Sequence, residues 1–117
     1  MLDAGHYADY NRSPVVSEYW ESRRMWQLCE LLAEELGYYG FEVLKTRDDP
    51  EKDLAVTKRG RMAKGCDLFI SLHSNASTSS KTDRVDVYAS YDNINNSHAL
   101  AIELAKTVAS VMGVSGG

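Results

Sequence analysis

The residues of this chain best suited to chemistry are its histidines and the carboxylates able to join them. His6 closes the run Leu2-Asp3-Ala4-Gly5-His6, and His73 closes Asp67-Leu68-Phe69-Ile70-Ser71-Leu72-His73. Each follows a short stretch fit for a strand, and each is followed by loop residues. Ligands of open α/β sheets bind outside the carboxyl ends of the strands. Neighbouring parallel strands would therefore bring both imidazoles to one edge. Glu18, at the expected start of the next helix, is tied near that edge by the length of the loop after His6, and Glu21 is an alternative close by. Two imidazoles and one carboxylate leave the fourth position of a tetrahedral zinc open, the pattern of a catalytic rather than a structural site. Zinc held so lowers the pKa of its bound water to about 7 and polarises a carbonyl oxygen. The same residues also have duller readings: His6 as a turn residue, and Glu18 as a first-turn carboxylate complementing a helix dipole.

The elements that must position these residues follow from periodicity. A strand ends at Asp3, and Ala4-Gly5-His6 breaks it. After a polar loop to Val16, the spacing of Met25, Leu28, Cys29, Leu32 and Leu36 predicts a helix from Ser17 or Glu18 to Leu36. Ser17 is the expected N-cap and Gly37 the left-handed stop. Phe41 to Thr46 reads as a second strand. A short helix from about Asp53 to Lys64 follows, weakened at Gly60. The Asp67 run is expected to be a strand buried on both faces. Arg84 to Ser90 alternates as a strand with one wetter face. Asn93 to Asn96 make a turn, Ser97 caps a last helix, Gly113 closes it, and Ser115-Gly116-Gly117 trail off. Strands alternating with helices imply a three-layer α/β fold, its sheet mostly parallel or mixed and flanked by helices. One domain over 1–117 is expected.

Composition narrows the function classes. The chain has 117 residues and a formal net charge of −4. A surface without clustered Lys and Arg is poorly matched to phosphate backbones, so no nucleic acid is expected as partner. Lys58, Arg59, Arg61 and Lys64 read as a solvated face. No apolar run is long enough to span a bilayer, so membrane insertion is not expected, and no signal peptide is expected from the first residues. Cys29 and Cys66 match no metal-finger spacing and read as two small buried thiols rather than a disulfide. His98 is expected at the surface, and Glu103, between Ile102 and Leu104, on an exposed helical face. Tyr7, Tyr10, Tyr19 and Trp20 surround the first loop, fit either to stack on sugar rings or to pack beneath the loop.

Leu2-Asp3-Ala4-Gly5-His6, Glu18-Tyr19, Thr46-Arg47, the series Asp53, Val56, Arg59, Ala63, and Asp67 to Ala76 occur in order. Together they resemble the type 3 N-acetylmuramoyl-L-alanine amidases, the zinc-dependent hydrolases of autolysins, sporulation enzymes and phage endolysins. The resemblance spans essentially the whole chain. It implies a Zn2+ cofactor held by His6, Glu18 and His73, Glu18 being preferred because an aromatic residue follows it. It also implies hydrolysis of the amide between N-acetylmuramic acid and L-alanine, peptidoglycan or muropeptide as partner, and action at the bacterial cell wall. Asn75 is a candidate for substrate contact or for ordering its loop. The resemblance places the proton-carrying Glu after a further strand, beyond residue 117, so a truncated domain is expected and no catalytic base is assigned. The alternative is a metal-binding but inactive module that recognises cell wall. Tyr7-Ala8 stands where similar enzymes carry glycines.

Overall fold

The chain enters directly into its central strand. β1, Leu2–Ala4, is buried throughout and pairs in parallel with β2, Ile70–Leu72, in the register Leu2–Ile70, Asp3–Ser71, Ala4–Leu72. The ladder is extended by Ile70 N–H to the Met1 carbonyl at 3.0 Å and Gly5 N–H to the Leu72 carbonyl at 2.9 Å. On the other edge of β1, Leu2 N–H donates to Leu44 O at 2.8 Å and Thr46 N–H to Leu2 O at 3.0 Å. The strand expected over Phe41–Thr46 is thus reduced to one parallel bridge at Lys45. Phe41 and Leu44 remain exposed, and Thr46 turns into a buried polar cluster.

This computed structural model describes residues 1–79 and 81–117; Ser80, in the loop expected after His73, lies outside the described residues. The chain divides into two compact units, Met1–Thr78 and Ser79–Gly117. Its architecture is α/β with parallel strand pairing in each unit, as the alternating pattern implies.

In the first unit, strand alternation sends Leu2 and Ala4 to one face and Asp3 to the other. Leu2 and Ala4 meet Met25 and Cys29 of α1, Glu21–Tyr38, with Trp26, Leu32, Leu36, Val43, Ile70 and Leu72 packed around them. Leu28, expected in that stripe, is exposed. Burial pushes the Cys29 thiol up, so it stays protonated and serves as a small apolar filler. On the opposite face Asp3 meets Arg59 of α2, Val56–Met62. The sheet therefore carries a helix on each side. β2 is half-buried rather than buried on both faces, and Leu68 and Phe69 precede the ladder and stay partly exposed.

Arg59 corrects the reading of its segment as a solvated basic face. The residue is only 7% exposed, and its guanidinium donates to the carbonyls of Leu54, Ala4 and His6 and to Asp3 Oδ1. Asp3 also accepts from Thr46 Oγ1 at 2.5 Å and Ser71 Oγ at 2.8 Å, and Arg47 Nη2 donates to Ala4 O at 2.7 Å. Buried charges persist when paired and hydrogen-bonded in this way.

Helix ends differ from the capping signals. α1 begins at Glu21, with Trp20 as N-cap and no side-chain cap, not at Ser17. Ser13 to Tyr19 close on themselves: Ser13 N–H donates to Tyr19 O at 2.8 Å, and Ser13 Oγ accepts from Val16 N–H at 3.0 Å. The free N–H groups of the first turn are met by loop carbonyls instead, Glu21 on Asn11 O at 2.9 Å and Ser22 on Tyr10 O at 3.4 Å. Gly37 lies inside α1; the left-handed glycine after it is Gly40, φ 86°. Asp53 does not cap α2, whose N-cap is Ala55.

In the second unit, β3, Arg84–Val85, pairs in parallel with β4, Ser115–Gly116, so the residues expected to trail off form a strand. Gly116 permits this, since a Cβ there would lie 2.6 Å from the Ala105 carbonyl oxygen. α3, Ser97–Met112, buries Ala105 and Ala109 and ends at Gly113, φ 71°, as expected. At its start Asn93 Oδ1, not Ser97, accepts from the first turn, through His98 N–H at 2.9 Å. Glu103 is exposed beside Lys106, and His98 is exposed with Nε2 donating to Ser90 O at 2.7 Å.

Candidate metal centre

β1 and β2, being parallel neighbours, deliver His6 and His73 to one edge of the sheet. The two rings meet edge to face, centroids 5.0 Å apart at 88°. His6 has φ 60° and Ala8 φ 44°. These left-handed positions turn the chain sharply after β1, in the loop where glycine would be the easy residue.

The carboxylate that joins the histidines is Glu21. Its Oε1 lies 3.0 Å from His73 Nδ1 and its Oε2 lies 3.4 Å from His6 Nε2. Glu18, the expected ligand, is not brought to them. It stays exposed on the turn before α1, where hydrogen bonds from Ser17 and from its own amide lower its pKa. The physical reason is the capping pattern: because Asn11 and Tyr10 carbonyls cap the helix, its first turn begins three residues later than Ser17-based capping implies. Glu21 thus occupies the N-terminal turn, aimed at the loop and the strand edge.

Glu21 is 6% exposed. Burial pushes its carboxyl up, but the Ser74 amide at 2.9 Å, the Asn11 side chain at 3.1 Å and the two imidazoles together outweigh that and hold it below its usual range. The carboxylate is therefore ionised and ready as a ligand. Ligand atoms of His6, Glu21 and His73 all lie within 4.8 Å of one another. Donors about 2.0–2.2 Å from one tetrahedral zinc sit roughly 3.4 Å apart. The Glu21 contacts at 3.0 and 3.4 Å, made through different carboxylate oxygens, are close to that spacing, and the donor set is chemically right for zinc.

A cleft of about 700 Å³ opens over the three, lined also by Asn11, Arg12, Val15, Tyr19, Ser74 and Asn75. Asn75 is exposed on its wall, two residues past His73. Tyr19 faces the cleft, Tyr7 and Tyr10 stack on each other at 4.7 Å, and Trp20 lies under the Arg12 guanidinium at 5.6 Å. Asn11 and the Ser74 amide carry no motif of their own. Only their place beside a histidine loop and after a histidine strand marks them.

No helix among the described residues is long and apolar enough to cross a membrane. No similar sequence was found among curated proteins. Among solved structures, the chain is similar in fold to the catalytic domain of CwlV, an N-acetylmuramoyl-L-alanine amidase from Bacillus (Paenibacillus) polymyxa var. colistinus. The TM-score is 0.81 at 24% identity, over 98% of this chain and 64% of that one. The chain thus spans less than two thirds of that domain. The family profile described as N-acetylmuramoyl-L-alanine amidase matches residues 1–117. With that match across its full length, the chain belongs to the N-acetylmuramoyl-L-alanine amidase family.

Proposed function

We propose that the protein is a zinc-dependent amidase that hydrolyses the bond between N-acetylmuramic acid and L-alanine in peptidoglycan, acting at the bacterial cell wall. The observation that carries this reading is the meeting of His6, Glu21 and His73 from three separate segments. Family membership supports the bond type. His6, Glu21 and His73 would hold the metal. Bound there, zinc supplies a Lewis acid for the amide carbonyl and a water acidified to a pKa of about 7.

The chain's own residues would hold the metal and contact the substrate. Glu21, ionised and fixed by Ser74 and Asn11, supplies the negative charge of the ligand set. Gly5 leaves room for the His73 ring. The open cleft admits a glycopeptide, with Arg12 as a cation for the acidic stem and Asn75 as a hydrogen-bonding group beside His73.

The test is incubation of purified peptidoglycan with the zinc-loaded protein. The expected result is release of peptide stems bearing a free N-terminal L-alanine, abolished by a chelator and restored by zinc. Stoichiometric zinc without stem release would support the inactive cell-wall recognition module instead.

A further inference from the structure

Asn11 stands between the two segments that bring His6 and Glu21 together. Its backbone is left-handed, φ 54°, and its carbonyl accepts from Glu21 N–H at 2.9 Å. Its side-chain Nδ2 lies 2.8 Å from His6 Nε2 and 3.1 Å from Glu21 Oε2. Those two atoms are themselves 3.4 Å apart. The nitrogen end of the amide thus faces both atoms, donating to Glu21 Oε2 and lying within hydrogen-bond reach of His6 Nε2.

We propose, resting on the zinc reading above, that Asn11 is the positioning residue of the metal centre. Its amide holds His6 Nε2 and Glu21 Oε2 side by side before any metal arrives. A metal bound at His6 Nε2 would take the place of the amide there, while the amide can remain on Glu21. Outer hydrogen bonds of this kind fix the orientation of ligands. A purely structural role makes a different demand. If Asn11 served only the left-handed turn, glycine would serve as well.

Asn11→Gly separates the two roles, because it keeps the backbone conformation and removes the amide. Zinc affinity would be measured by competition with a chelator on the purified full chain. A loss of about 10- to 100-fold is expected, with a changed visible spectrum after cobalt substitution. Affinity within about twofold of wild type, with an unchanged cobalt spectrum, would overturn the proposal. A second measurement avoids the variant altogether. In nitrogen-15-labelled wild-type protein, the Asn11 side-chain amide resonances are expected to move with the first equivalent of zinc, and resonances that stay in place would also refute it. A wild-type chain that takes up no zinc would remove the metal reading itself, and this proposal with it.

Discussion

Gly5 passes so close to His73 that a Cβ at residue 5 would lie 2.6 Å from both Nδ1 and Cε1 of the ring, and 2.7 Å from the Leu72 carbonyl oxygen. The glycine that ends β1 is thus the surface on which the second imidazole rests. Gly5→Ala must push away the His73 ring or the β2 backbone. It is expected to weaken zinc binding by about tenfold or more, since ligand misplacement is felt directly in affinity. Chelator competition checks this, and wild-type affinity in a folded Gly5→Ala protein would show that the ring has room to spare.

Asp3 and Arg59 form the buried ion pair under the same loop, with side chains 4% and 8% exposed. Arg59 also holds the carbonyls of Leu54, Ala4 and His6, so it ties α2 to the strand end that bears the first histidine. Removing one partner of a buried pair strands the other, at about 3–5 kcal/mol. Asp3→Asn is expected to lower unfolding free energy by roughly that amount in urea titrations. Arg59→Lys should also be destabilising, because one ammonium cannot reach the acceptors of a planar guanidinium. A change under about 1 kcal/mol for Asp3→Asn would show that the network contributes little.

The depressed Glu21 carboxyl fixes a pH dependence in metal-free protein. Its folded pKa lies below the ordinary 4.5. Its contribution to stability is therefore fully present above that value and is lost as pH falls through the lower, folded one. Urea midpoints with chelator present, from about pH 6 to about pH 3, should fall more steeply for wild type than for Glu21→Gln. Parallel profiles would mean that Glu21 gains nothing from its neighbours.

The place of both histidines at strand ends was legible in the sequence, as was a mostly parallel sheet from the alternation of elements, whereas the adjacency of β1 and β2 entered the sequence reading only as a condition. Gly113 was legible as a helix stop for a local reason, its left-handed φ of 71°. The choice between Glu18 and Glu21 was not local. Ser17 looks like a cap, but Asn11 and Tyr10 carbonyls do that work from across the loop. Arg59 looked solvated because its anionic partner, Asp3, is remote in sequence. The pairing of Ser115-Gly116 with Arg84-Val85 likewise depends on a close approach to Ala105 that no periodicity reveals.

Metal stoichiometry by elemental analysis, after equilibrium dialysis of wild type, Glu18→Gln and Glu21→Gln, tests the central claim most directly. One zinc per chain is expected in wild type and in Glu18→Gln, and a loss of stoichiometric zinc in Glu21→Gln. A Glu21→Gln protein that keeps its zinc while Glu18→Gln loses it would contradict the account.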